Sequence, residues 1–465
     1  MGIAVSSWPL ASAVASRGQL GVVSSSGLDL VLTRKLQLGD VSGHLRDALD
    51  HFPLPDMAER IWSRYFILGG KPHSAPFRTK PVPSIRPSQA LLELIVVANF
   101  VEVFLAKKGH SGPIGINLLE KIQLPTLPSL FGAMLADVDF VLMGAGIPRA
   151  IPAILDRLSE LEPVELKLDV VGALPTEEFA THFEPKCFCP SDLSRLKRPE
   201  FLAIVSSSTL AMTLARKCAG KVDGFVVEGQ TAGGHNAPPR GNLSLDSSGE
   251  PVYGPRDVPD IEQIRNLGLP FWMAGSFGSP GGLDEALALG AQGIQAGTAF
   301  AFCDESGIDP VIKDRVIQKS IEHRVSVYTD PFASPTGFPF KVVQMEETLS
   351  HPNVYAARKR VCDLGYLREL YRKDDGTVGY RCPGEPIDDF VRKGGEASQT
   401  IGRKCVCNGL LGTVGLGQMR KGELEPALVT AGNNIVNVEQ FLPPGKSSYS
   451  AADVIDRLLN QESTD

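Results

Sequence analysis

A parallel α/β architecture is predicted by three features of this sequence. Short apolar runs, continuous and not alternating, recur between helical stretches, as in DFVLM at 139–143, FLAIVS at 201–206 and GFVVE at 224–228. Strands apolar on both faces are expected where helices cover a sheet from each side. The connections between runs are long enough for right-handed crossovers, and several runs end in glycine-rich turns.

The most informative of these is 223–241, DGFVVEGQTAGGHNAPPRG. Phe225, Val226 and Val227 form the apolar run; Gly229, Thr231, Ala232, Gly233, Gly234 and His235 follow, and then the rigid Pro238-Pro239 pair. This pattern describes a buried strand that ends in a turn presenting one histidine. Adjacent glycines let backbone N–H groups come close to a ligand, because no Cβ intervenes. A titratable histidine beside such a cradle, at the carboxyl end of a strand, suits a cofactor enzyme. The plainer alternative is a glycine turn with a surface histidine.

A chain of 465 residues accommodates two or three domains, or one large barrel with insertions. Its 43% hydrophobic and 21% charged content is that of a globular protein with a sizeable core. The net charge of −7, with no long basic run, argues against nucleic acid or an anionic membrane as partner. No basic segment precedes an apolar one at the amino terminus, so no secretory signal is expected and the location is read as cytoplasmic. The most membrane-like stretch, 90–105, carries Glu93, Asn99 and Glu102 and reads as a buried helix. Eight cysteines without a signal fit a reducing compartment and no disulfide framework. A homo-oligomer is left open.

In order, 2–6 is the first expected strand, 8–16 a helix and 19–26 the second strand. From about 40 to 110 the pattern becomes helical (44–51, 55–66 and 87–107), broken by a link with prolines at 72, 76, 81 and 83. Such a link propagates neither a helix nor a central strand, so this region is read as a helical insertion. Alternation resumes with strands at 113–119 (carrying Asn117), 139–143, 164–171, 201–206, 223–228, 270–274 and 293–296. That makes nine candidates for a barrel that needs eight, and 164–171 is the suspected extra. Beyond 306 the alternation stops. Helices are expected at 309–322, 353–372 and 451–459, forming a mainly helical C-terminal extension that either caps the barrel or is a second domain.

The stretch 270–298 passes from an apolar strand into a loop holding Gly275, Ser276, Gly278, Gly281 and Gly282, and its next strand ends in Gln295-Ala296-Gly297-Thr298. In a (β/α)8 barrel the loops after strands seven and eight commonly hold a phosphate on backbone N–H groups. Two such loops on consecutive strands, just after the Gly-Gly-His turn, fit that use.

On these residues the chain resembles the nitronate monooxygenase family of FMN-dependent TIM (β/α)8 barrels, formerly 2-nitropropane dioxygenases, whose relatives include flavin-dependent enoyl-acyl-carrier-protein reductases. The resemblance is carried by 2–26, by 113–119, by Thr231 to His235 against the family's E-A-G-G-H, by Ala274-Gly275, and by Gln295 to Thr298 against Q-M-G-T. It covers roughly residues 1 to 302 apart from the insertion, so that 1–305 is expected to form the flavin barrel and 306–465 the extension. The resemblance implies that Asn117 contacts the flavin, that Gly233 and Gly234 approach it, and that Gly275, Ser276 and Gln295 to Thr298 hold its phosphate. It further implies that His235 is the base facing a nitronate that is oxidised with O2. The chain departs from the family pattern in four places. Thr231 replaces a Glu, Glu228 a Gln and Ser276 a Gly, and Met1 stands where the family has an internal Met. Glu228 is read either as a flavin contact or as an ion-pair partner of Arg240 or another cation.

Two further features remain. Cys362, Cys382, Cys405 and Cys407 could form a thiolate site, but their C-x-C spacing is unusual, buried free thiols are the preferred reading, and no metal is assigned. The loop 330–340 (DPFASPTGFPF) could fold over the barrel mouth with Phe332, Phe338 and Phe340. The competing readings are an NAD(P)H-dependent flavin enoyl reductase acting on an acyl thioester of a lipid or polyketide pathway, and a non-catalytic barrel serving as a binding or assembly subunit.

Overall fold

A computed structural model describes residues 2–460. Its centre is a seven-stranded parallel sheet: β1 (Gly21–Ser24), β2 (Ile114–Leu119), β3 (Phe140–Gly144), β4 (Glu200–Val205), β5 (Gly224–Glu228), β6 (Phe271–Ala274) and β7 (Gly293–Gln295). Each strand pairs with the next in the chain. Such sequential parallel order winds a sheet steadily in one direction, as barrels are wound. Among the described residues β1 and β7 are the two edges.

Both faces of the sheet are apolar, for the reason the sequence suggested. Val141, Met143, Phe201, Ala203, Val205, Phe225, Val227, Phe271 and Met273 join a large core with the surrounding helices. Their neighbours Leu142, Leu202, Val226 and Ala274 pack with Val22, Ile204 and Trp272 on the other face.

The two surplus strand candidates lie outside this sheet. Residues 2–6 form a turn in which Ala4 takes φ +53°, a left-handed conformation incompatible with a strand. This short apolar run is satisfied by burial: Ile3 and Ala4 pack into a C-terminal core cluster, and Gly307 N–H donates to Val5 O at 2.9 Å. Met1 lies outside the described residues. The suspected segment 164–171 splits in two. Val164–Lys167 pairs antiparallel with Ala180–Phe183, and Val170–Val171 pairs with Glu369–Arg372.

The helices His44–Asp50, Pro55–Tyr65 and Gln89–Lys107 occupy the expected insertion. Gln89–Lys107 is long and apolar enough to cross a bilayer, yet most of it is buried in the protein. Its polar groups are answered internally: Glu93 pairs with Arg60, Glu102 accepts from Trp8 N–H, and Asn99 bonds with Ser25 and Ser129.

The region after 306 is mixed, not mainly helical. The helices Pro310–Ile321, Pro352–Ala357, Ile387–Arg392, Val406–Thr413 and Ala451–Leu458 alternate with antiparallel pairs, among them β8 (Val327–Asp330) with β9 (Phe340–Val343). The helix expected over 353–372 stops at Ala357, and Glu369–Arg372 pairs instead with Val378–Arg381. Asp374-Asp375-Gly376, with Gly376 at φ +80°, supplies the hairpin turn that favours this pairing. Two cores join this region to the rest: Leu10, Val14 and Phe302 pack with Val429, Ile435 and Leu458, and Leu30 and Val31 with Phe340, Leu349 and Leu410.

Candidate active site

Strand register places the site. Glu228 at the end of β5 lies opposite Ala274 of β6, and Ala274 lies opposite Gln295 of β7, so three neighbouring strands finish in one row. Above that row is a cavity of about 630 Å³, within the range of small-molecule sites. Asn117, Glu228, Gly233, Gly234, His235, Gly275 and Gln295 to Thr298 all line it. Of the expected site residues, Ser276 alone is absent from the lining. Its N–H donates to Thr231 Oγ1 at 3.1 Å, which leaves it committed within the protein.

Each glycine has a distinct reason. Gly275 sits at φ +93°, and a Cβ there would lie 2.7 Å from Thr231 Oγ1. A Cβ at Gly233 would lie 2.7 Å from the Ala431 carbonyl carbon. Gly234, at φ +82°, has open space where a Cβ would stand, but its N–H donates to Thr430 Oγ1 (3.0 Å) and its carbonyl accepts from Lys341 N–H (2.9 Å). The Gly-Gly turn is therefore held mainly by C-terminal residues. Thr231, where the family motif has a Glu, ties the two glycine turns together through Ser276.

The C-terminal region supplies the cover. Phe340 meets the His235 ring edge-on, with centroids 4.8 Å apart. Asn236 N–H donates to Pro339 O, Gly432 N–H to Thr298 Oγ1 (2.8 Å), Asn433 N–H to Thr231 O (3.0 Å) and Asn434 Nδ2 to Ser276 O (3.0 Å). Phe340 lines the cavity as expected of the 330–340 loop. Phe332 does not: it is 44% exposed, while Phe338 lies beside Lys121.

The electrostatics follow from enclosure. Burial lowers His235 to a pKa of about 4, so its imidazole is neutral at physiological pH. Burial also raises Glu228 to about 7. Glu228 forms no ion pair among the described residues, and Arg240 is exposed, its backbone N–H donating to Asp257, so of the two readings of Glu228 the pair with Arg240 is not made. His235 Nε2 is hydrogen-bonded to Ser334 Oγ at 2.6 Å. The side-chain amide of Asn117, only 5% exposed, makes no hydrogen bond to the described residues and faces the cavity.

Residues 155–333 match the nitronate monooxygenase family. A probable nitronate monooxygenase of Staphylococcus haemolyticus is 31% identical over 143 residues, 30% of this chain and 38% of that protein. A (3aS,4S,5R,7aS)-5-hydroxy-7a-methyl-1-oxo-octahydro-1H-indene-4-carboxyl-CoA dehydrogenase of Mycobacterium tuberculosis is 31% identical over 155 residues, 33% of this chain and 38% of that protein. Each match thus spans well under two thirds of the relative's length. The solved structure of FabK from Thermotoga maritima aligns over 98% of this chain and 88% of that one, with 16% identity and a TM-score of 0.46.

The family match contains the Gly-Gly-His turn and both glycine loops but stops at residue 333. Ser334, Phe340, Thr430 and Gly432, which hold or cover His235 and its turn, lie beyond it, and sequence reasoning singled out only the Phe340 loop. The run Thr430-Ala431-Gly432-Asn433-Asn434, small and polar after the buried Leu428-Val429, was the available signal for the second covering segment. The cysteines at 362, 382, 405 and 407 are free thiols, and Cys407 lines the cavity. Among the described residues no three His, Cys, Asp or Glu side chains are set to hold a metal ion.

Proposed function

We propose that this chain is an FMN-dependent oxidoreductase resembling nitronate monooxygenases, with residues 1–305 holding the flavin and 306–465 covering it. The observation that carries the reading is a neutral, half-buried His235 in one cavity with the three strand ends of β5, β6 and β7. The residues present suit a flavin. Gly234 and Gly297 leave open space where side chains would intrude, and the free Asn117 amide and the Gln295 side chain offer donors and acceptors to a heteroaromatic edge. Gly275 and Gln295 to Thr298 are assigned to its phosphate end. FMN bound there supplies a two-electron acceptor whose reduced form reacts with O2.

The protein's own part is acid–base work and enclosure. A nitroalkane has an acidic α-carbon, and its nitronate is the conjugate base. An imidazole held neutral can take that proton at a ring nitrogen, whereas an imidazolium could not. Glu228, titrating near neutrality, is placed to hold or release a proton inside the same cavity. Phe340 and the Thr430–Asn434 segment limit the access of water. A second reading has one supporting observation. The cavity is also lined by the apolar side chains of Leu10, Val14, Leu283, Ile455 and Leu458, which suit the chain of an acyl thioester reduced at the expense of NAD(P)H.

An absorbance spectrum of the purified protein, followed by anaerobic mixing with a nitronate or with NADH or NADPH, separates these readings. Bleaching of a flavin band by the nitronate supports the oxidase chemistry, and bleaching by a nicotinamide alone supports the reductase. Absence of a flavin band even after added FMN overturns both and leaves a binding subunit. His235→Ala is expected to retain the flavin band and lower turnover by about 10²- to 10⁴-fold, the usual contribution of a general base. Loss of the flavin would make His235 a structural residue.

A further inference from the structure

We propose that Ser334 and Thr336, on the turn between β8 and β9, form a proton path from His235 to the protein surface. The path lets the imidazole be reset while the cavity stays closed. The inference rests on the reading of His235 as the group that exchanges a proton with substrate.

Three atoms form the path. His235 Nε2 lies 2.6 Å from Ser334 Oγ, and Ser334 Oγ lies 2.8 Å from Thr336 Oγ1. Ser334 is fully buried, Thr336 is half-buried, and the next residue, Gly337, is exposed. The row therefore starts at a ring that lines the cavity and ends at the outer edge of the turn.

A hydroxyl has one proton to donate and two lone pairs. Ser334 Oγ accepts Thr336 N–H at 3.2 Å, which leaves one donor and one acceptor site for its two other partners. Two orders are then available. In one, the imidazole donates to Ser334 and Ser334 to Thr336; in the other, Thr336 donates to Ser334 and Ser334 to the imidazole. When His235 takes the α-proton of a nitroalkane at Nδ1, its Nε2 proton passes to Ser334, the Ser334 proton to Thr336 and the Thr336 proton to water. The ring ends neutral, and one proton has moved from substrate to solvent. The ring is then the Nδ1–H tautomer, with Thr336 donating to Ser334 and Ser334 to Nε2. Once Nδ1 hands its proton to a carboxylate or product oxygen in the cavity, a proton returns from water through Thr336 and Ser334 to Nε2, and the starting order is restored.

The need for such a path comes from the surroundings. A half-buried imidazole that no carboxylate contacts is a poor reservoir for a positive charge. Glu228, Tyr366 and Cys407 share the cavity with His235, and Phe340 covers one edge of the ring. Of the cations nearby, Lys341 is engaged with Thr329 Oγ1 at 2.8 Å. Arg403 donates to the Phe332 and Ser334 carbonyls at 2.8 and 2.6 Å. Asp330 accepts from Phe332 and Ala333 N–H and pairs with Lys404 at 2.8 Å. These contacts pin the turn, so the hydroxyl row is in place before substrate arrives.

The test compares Ser334→Ala, Ser334→Thr and Thr336→Val in protein labelled with ¹⁵N at histidine. His235→Ala identifies the His235 ring signals, which are followed across the range in which an imidazole titrates, with or without flavin. In Ser334→Ala the Nε2 signal is expected to lose its hydrogen-bonded shift and the tautomer balance to change. In the flavin-loaded protein kcat should fall about tenfold or more with KM within about twofold, by loss of assisted proton transfer. Ser334→Thr, which keeps the hydroxyl, is expected to restore both readouts. If Ser334→Ala does not fold, Thr336→Val decides by the same rate measurement, because it leaves the His235–Ser334 bond in place. Unchanged ring signals and pH profile in Ser334→Ala, or an unchanged rate in Thr336→Val, overturn the proposal. The ring signals report on Ser334 even when no flavin binds, so this outcome is distinct from failure of the flavin reading.

Discussion

The floor and the roof of the cavity are built by opposite means. The floor consists of parallel strand ends, where Glu228, Ala274 and Gln295 are aligned by ladder register and each strand turns immediately into glycine. The roof consists of pieces far apart in sequence, 334–341 and 430–434, each attached by several hydrogen bonds to the turns below. The floor is thus positioned by local chain geometry, whereas the roof depends on the packing of the whole C-terminal region. The roof also gives the floor its chemistry, since Phe340 and the segment around Gly432 create the enclosure that keeps His235 neutral.

If floor and roof are one cooperative unit, breaking their joint should unfold both. Asp29, on the helix after β1, is buried against Lys80 at 2.6 Å and accepts from the C-terminal Tyr366 hydroxyl at 2.6 Å. Lys80→Ala leaves that carboxylate buried without its cation, at a cost of about 3–5 kcal/mol. Chemical denaturation should show a single, shifted transition. Two separate transitions would mean that the regions fold independently.

A smaller effect should come from the floor alone. Because burial raises Glu228 from 4.5 to about 7, the folded state binds its proton more tightly than the unfolded state does. That contribution to stability is present below about pH 4.5 and lost as pH rises through about 7, on the order of 3 kcal/mol by linkage. Glu228→Gln should flatten this part of the stability curve of the flavin-free protein and stabilise it above neutrality. An unchanged slope would place the carboxylate in water and open the roof.

The smallest change probes the contact between the two. A Cβ at Gly432 would lie 2.8 Å from Thr231 O and 3.0 Å from Thr298 Oγ1. Gly432→Ala should cost about 1–3 kcal/mol by overpacking and weaken flavin retention more than it lowers the melting temperature. Equal flavin retention would show that this roof segment does not bear on the cofactor end.

Much of the floor was legible in the sequence because its signals are local. The run Phe225-Val226-Val227 followed by glycines predicts a strand and turn from β-branching and backbone freedom alone, and the seven strands of the sheet were all among the candidates. The errors fell where a short segment had two ways to be satisfied. Residues 2–6 met their apolar character by burial in a turn instead of by pairing, and 369–372 chose a hairpin over a helix because Asp375-Gly376 made the turn cheap to form. Of the two readings of Glu228, the ion pair with Arg240 is one that sequence proximity suggests, and the chain path leaves that charge in solvent.

By itself, then, the sequence determined the parallel order of the strands, the glycine turns at their ends and the presence of one histidine beside them, because these follow from residue shape and spacing along a short length of chain. Only the tertiary structure decided which residues close the cavity, that Ser334 holds His235, and that His235 and Glu228 are shifted toward their neutral forms. Burial and long-range hydrogen bonds belong to the assembled chain, and no local run of residues specifies them.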